Sequence, residues 1–157
     1  MRRFFFWFGV LAAIAIVAIV IGGALVAKKG LDLDADAKAY VDSAVVAICS
    51  KWDQQELIDR ASAELMAAVK PGEIPALFEK LSAAGPLSKY EGANGQASVM
   101  IYNGNSKITA KYIAKALFAQ GEGTINISLI QSDGKWRILG FHVDIAAKPA
   151  DNDVQHI

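Results

Sequence analysis

Apolar positions along this chain change their spacing twice. From Phe4 to Ala27 no residue is charged, and so long an apolar run predicts one membrane-spanning helix. At 1.5 Å per residue it would measure about 36 Å, against a hydrocarbon core of roughly 30 Å. After Gly30 the spacing becomes helical and amphipathic. Ala37, Val41, Ala44, Ile48 and Trp52 recur on one face, with Tyr40 and Val45 widening the stripe. A second helix is expected to open at Asp53, with Glu56 three residues on as in a capping box. It turns Leu57, Ile58, Ala61, Leu65, Ala68 and Val69 inward and ends at Pro71-Gly72. A third, starting on Pro75, buries Ile74, Leu77, Phe78 and Leu81 and stops at Gly85-Pro86.

Beyond Gly95 the period falls to two. Gln96 to Tyr102 predicts a strand, and Asn103-Gly104 a tight hairpin turn. In the next strand Ile108, Ala110, Tyr112, Ala114, Ala116 and Phe118 face one way, while Lys107, Thr109, Lys111, Ile113 and Lys115 face the other. Gly121 to Gly123 is expected to turn the chain. Ile125, Ile127 and Leu129 then alternate with polar neighbours up to a second hairpin at Asp133-Gly134. The last strand begins at Trp136, and its apolar phase slips between Ile138 and Leu139, beside Gly140. That slip predicts a bulge.

The expected architecture is α+β: an N-terminal transmembrane helix, then about three helices packed on a four-stranded antiparallel sheet. The expected division is an anchor over 1–29, a linker over 30–36, the domain over 37–147 and a loose tail over 148–157. Trp52, Phe78, Tyr112, Trp136 and Phe141 are the candidate core or pocket residues, with Trp136 as the anchor of the last strand.

The helical segment, the long alternating strand and the closing Asp133-Gly134-Lys135-Trp136-Arg137-Ile138-Leu139-Gly140-Phe141 resemble the NTF2-like (cystatin-like) superfamily. More narrowly, they resemble small bacterial membrane-anchored proteins of that type. The resemblance covers residues 38–146 and rests on a packing pattern, with Trp136, Ile138, Gly140 and Phe141 at the matching positions. It implies a cone of helices on a curved sheet. It implies no catalytic set, since such domains include isomerases, dehydratases, binding modules and assembly partners.

Charge refines the picture. All 16 acidic residues lie after residue 30 but only 12 of the 16 basic ones do, so the soluble part carries about four net negative charges. That balance excludes a general nucleic-acid binder. Arg2 and Arg3 before the apolar run, and Lys28 and Lys29 after it, leave the orientation rule balanced. The layout of a three-residue tail, a span and a C-terminal domain is that of a signal anchor. Inner-membrane location with the domain outside the cytoplasm is therefore the expectation. A cleaved signal peptide has a shorter apolar region, of about 7–15 residues. A twin-arginine signal would carry a Ser or Thr and a polar leader that this chain lacks.

Chemistry-bearing residues are sparse. Cys49 is the one cysteine, which excludes an internal disulfide and a multi-cysteine zinc site. His142 and His156 are the two histidines and lack a ligand constellation, so no metal and no cofactor is expected. An isomerase-like site needs an apolar cone, a carboxylate base and an acidic hydrogen-bond donor; Asp53, Asp144, Tyr90, Tyr102 and Tyr112 supply the residue types without a motif. Gly121-x-Gly123 has no following helix to make a phosphate loop, and the Asn126-Ile127-Ser128 sequon falls in mid-strand. Lys107, Lys111 and Lys115, with Ile113 among them, form a candidate docking face for an acidic partner or lipid headgroups. The leading expectation is a non-enzymatic, membrane-tethered interaction domain with an unknown protein partner or a second copy of itself. A small apolar ligand- or lipid-binding pocket is the runner-up, and an isomerase or hydratase the third reading.

Overall fold

The computed structural model describes residues 32–147. The anchor over 1–29, the tail over 148–157 and His156 lie outside the described residues. Among those described, no helix is long and apolar enough to cross a membrane. The chain divides between Ala35 and Asp36, and the unit from Asp36 onward holds the fold. That unit is α+β.

Helix α1 (32–49) takes in residues 32–36, which the sequence assigned to a linker. Its Ala37, Val41, Ala44, Val45 and Ile48 are fully buried, as the helical spacing requires. Where one second helix was expected there are two short ones, α2 (Gln54–Arg60) and α3 (Ala63–Ala68). The break has a physical cause. The backbone N–H of Ser62 leaves the helical ladder and donates to the carbonyl of Ile138 at 2.8 Å. The buried Ser62 hydroxyl then caps α3 by accepting from Leu65 N–H at 3.1 Å. Asp53 caps α2 as expected, but through Gln55 N–H. Glu56 pairs with Arg60 one turn on instead of reaching back, so the capping box is only half made. Ala68, expected inside, is exposed because α3 stops there. Helix α4 (Glu73–Ser82) starts two residues before Pro75 and buries Ile74, Phe78 and Leu81.

The sheet is a four-stranded antiparallel meander in the order β1-β2-β3-β4. Strand β1 (Leu87–Tyr102) is far longer than the segment the alternation marked. Its first half was hidden by Gly92 and Gly95, yet Gly92 sits at φ 102° and close packing at Gly95 leaves no room for a side chain. A Cβ on Gly95 would lie 2.0 Å from the Lys111 carbonyl oxygen and 2.7 Å from the Tyr112 ring. Strand β2 (Asn105–Phe118) buries Ala110, Tyr112, Ala114, Ala116 and Phe118 as predicted. Strand β3 (Gly121–Ser132) already begins at Gly121, so the turn expected at Gly121–Gly123 falls instead on Ala119-Gln120. In β4 (Lys135–Ala147) the pairing shifts by one residue, from Ile138 opposite Leu129 to Gly140 opposite Ser128. Leu139 is the extra residue. The bulge moves the inward set from Trp136 and Ile138 to Phe141 and Val143, which is the predicted phase slip. The first and third hairpins have positive φ at both turn positions, 48° and 76° at Asn103-Gly104 and 51° and 74° at Asp133-Gly134. These are the turns whose twist matches the strands.

Candidate functional site

Among Ala, Val, Ile and Leu side chains, the core between helices and sheet holds the buried aromatic rings of Trp52, Phe78, Tyr112, Phe118 and Trp136. Trp52, at φ 52° just past α1, stacks on Phe118 with 4.9 Å between centroids and meets Phe78 edge-on at 6.5 Å. Its indole N–H donates to the Gly85 carbonyl at 2.7 Å, tying the end of α1 to the chain entering β1. Of the five candidate core residues, Trp52 and Phe78 are brought together, and Tyr112 is buried over Gly95. Trp136 is buried at the start of β4. Phe141 is half-buried and lines a crevice of about 160 Å³ with Leu57, Leu65, Ile74 and Leu77.

A wider, open cleft of about 600 Å³ lies where α1 and α2 meet the start of β4. Its wall holds Tyr40, Arg60, Arg137 and Trp136. Arg60 is engaged with Glu56 within α2, whereas Arg137 donates to the Asp59 carbonyl at 2.9 Å and so stitches β4 to that helix. Burial raises the Tyr40 hydroxyl's pKa, against the opposing pull of Arg60 and Arg137. The Trp136 indole N–H is buried with no acceptor among the described residues.

The remaining candidates do not converge. Cys49 is fully buried, and desolvation pushes its thiol up to about 12, the opposite of what a nucleophile needs. His142 is exposed and meets Asp144, also exposed, at 3.1 Å. Asp53 caps a helix and Tyr102 projects into solvent, so the isomerase-type residues are scattered. Tyr90 donates to Asp42 at 2.6 Å, and that carboxylate's other oxygen takes Lys38 at 2.7 Å. Burial first, and then the Asp42 carboxylate, raise the Tyr90 pKa well above the usual phenol range. Among the described residues Ser62 is the buried polar side chain, no carboxylate is buried, and no three His, Cys, Asp or Glu side chains are placed to hold a metal ion. Lys107, Lys111 and Lys115 do lie on one exposed face with Ile113, and Lys115 donates to Thr124 at 2.8 Å.

The surface feature that sequence reasoning missed is the far end of the β1–β2 hairpin. Pairing of β2 with β3 stops at Thr109 opposite Ile130, so the four register pairs from Val99–Ile108 to Tyr102–Asn105 form a ribbon that is two-stranded among the described residues. On it Val99, Met100, Ile101 and Tyr102 are 51, 63, 77 and 78% exposed. The available signal was four consecutive apolar residues in a strand that otherwise alternates.

No family model, curated protein or solved structure matches this chain.

Proposed function

We propose that this chain is a membrane-tethered interaction domain with no catalytic activity of its own, of NTF2-like type, held at the inner membrane with its α+β unit outside the cytoplasm. The observation that carries the reading is the apolar ribbon at Val99–Tyr102, uncovered among the described residues. A binding domain needs exposed apolar surface, and natural domains rarely leave four adjacent large apolar side chains in water without use. The uncharged run from Phe4 to Ala27 supports the tether.

The apolar-ligand reading rests on the crevice beside Phe141. At about 160 Å³ it falls below the range of roughly 300–1,000 Å³ that small-molecule pockets occupy. The larger cleft beside Tyr40, of about 600 Å³, is walled by Glu56, Asp59, Arg60, Lys135 and Arg137, charged groups that do not suit an apolar chain. An isomerase would need a carboxylate in an apolar setting, and the exposed Asp53 and Asp144 do not supply one.

Fractionation tests the tether. The full chain should stay with membranes through alkaline carbonate, and a variant lacking residues 2–29 should be released. Protease added to spheroplasts should digest the domain. A photo-reactive residue at Tyr102 should capture a macromolecular or lipid neighbour, while one at Leu77 should capture nothing saturable. Release of the full chain would overturn the tether, and saturable capture of a small apolar molecule at Leu77 would install the ligand reading instead.

A further inference from the structure

The two edges of the sheet are treated differently. At the β4 edge, Ala61 bridges Ile138 and the Ser62 N–H takes the Ile138 carbonyl. Leu139 bulges just beyond, and His142 and Asp144 add polar groups further along. These are the devices that stop a sheet from growing. Over its last four residues, Val99 to Tyr102, the β1 edge carries no charge and no proline, and no strand borders it among the described residues.

Turn geometry fixes which backbone groups that edge presents. Asn103-Gly104 is a two-residue turn with both φ positive, so Tyr102 and Asn105 exchange hydrogen bonds across it. Bonding then alternates down the ribbon. Met100 bonds to Lys107, while Val99 and Ile101 turn their N–H and C=O groups outward from the sheet.

We propose that two copies of this chain pair edge to edge through Val99–Ile101, antiparallel about a two-fold axis between their Met100 residues. Val99 then lies opposite Ile101 of the partner subunit and exchanges backbone hydrogen bonds with it, twice by symmetry. Cross-strand pairing of β-branched side chains covers one face of the ribbon, and paired Met100 side chains cover the other. This accounts for apolar residues on both faces, which a flat partner or a bilayer surface would not use. A bilayer entered by the tip would meet Asn103-Gly104-Asn105 first, and those are polar. The uncharged edge also lets two domains approach where their net negative charge otherwise repels. Cover at Ile138 and the polar His142 and Asp144 oppose growth from the β4 edge, so the pairing stops at two copies. The contact is short compared with a standard interface. It relies on the proposed tether to raise the effective concentration of copies in one membrane.

Directly opposed residues that are not hydrogen-bonded to each other have Cα atoms about 4.5 Å apart, within disulfide reach. Met100→Cys in the full chain in native membranes, mildly oxidised, should therefore give a disulfide-linked dimer. Tyr102→Cys and Lys107→Cys should give at least tenfold less, and the buried Cys49 should give none. Adding Ile101→Asp to Met100→Cys should remove the dimer while circular dichroism stays unchanged. Equal cross-linking at all three positions, or none at Met100→Cys, would overturn the proposal. So would a fluorophore at position 100 that is quenched by spin-labelled phosphatidylglycerol vesicles at high lipid dilution, since lipid would then be the occupant. The membrane fraction of the same samples reports the tether separately from the pairing.

Discussion

Trp52 and Phe118 stack at 4.9 Å, joining the end of α1 to the last residue of β2, a separation of more than sixty residues in the chain. With the N–H of Trp52 on the Gly85 carbonyl, this one side chain holds three segments. Trp52→Ala should lower the unfolding free energy by about 3–5 kcal/mol. Trp52→Phe keeps a ring but strands the Gly85 carbonyl, adding about 1–3 kcal/mol to the loss from reduced volume. Urea unfolding followed by circular dichroism measures both.

Trp136 offers the contrast. It is as buried as Trp52, but its N–H has no acceptor among the described residues. Trp136→Phe removes that N–H along with the volume, so it should destabilise less than Trp52→Phe. Trp136→Ala should still cost about 3–5 kcal/mol. An unchanged midpoint for the alanine variant would contradict burial of the indole.

Gly95 and Gly104 separate packing from backbone strain. Gly95→Ala drives a Cβ into the Lys111 carbonyl and the Tyr112 ring, whereas a Cβ on Gly104 meets only open space at φ 76°. Gly104→Ala should cost about 1–2 kcal/mol for the left-handed backbone. Gly95→Ala should cost more. Thermal midpoints of the two variants give the order directly.

Alkaline pH should loosen the fold. Burial holds the Cys49 thiol neutral up to about 12, from a usual value of 9.0, and the Tyr90 phenol is likewise raised. A raised pKa stabilises the native state fully below the unfolded value, and that contribution is lost as pH climbs to the folded one. Stability should therefore be flat below pH 9 and fall between 9 and 12. Cys49→Ala should flatten the first part of that decline, and Tyr90→Phe the part above 10. Urea titrations at stepped pH read the slopes.

The lysine face should be dispensable for folding. Lys111 and Lys115 are exposed, and Lys115 makes a surface bond to Thr124 at 2.8 Å. Lys111→Glu with Lys115→Glu should move the unfolding free energy by no more than about 0.5 kcal/mol. Cross-linking through Met100→Cys should survive in that background, because the lysines and the β1 edge are separate surfaces. Loss of the dimer together with an intact fold would show that the two surfaces act as one.

Strand and turn chemistry made much of the sheet legible beforehand. Alternation from Ala110 to Phe118 names its buried side, the two Asn/Asp-Gly pairs mark its hairpins, and the slip at Leu139 gives its bulge. The helical region was harder, because the break at Ser62 depends on a carbonyl of Ile138 seventy-six residues away, which no local spacing encodes. The first half of β1 was hidden for a related reason. Gly95 looks like a breaker until the ring of Tyr112 is laid across it. Among the candidate site residues, Trp52, Phe78, Tyr112 and Trp136 were readable from hydrophobicity alone. The ribbon at Val99–Tyr102 was not, since exposure is a property of where β3 stops pairing.

The order of elements has a consequence for biogenesis. Helix α1 emerges before the sheet with Val41, Val45 and Ile48, all fully buried in the finished fold, and the equally buried residues of β3 and β4 are made last. Ile125, Ile127 and Ile138 arrive about eighty to ninety residues later. Until β3 and β4 leave the ribosome or the export channel, the core is incomplete and apolar surface stays open. Its closure is a long-range event that loop entropy slows. A chain stalled after Phe118 should therefore engage holding chaperones, and one released after Ala147 should not.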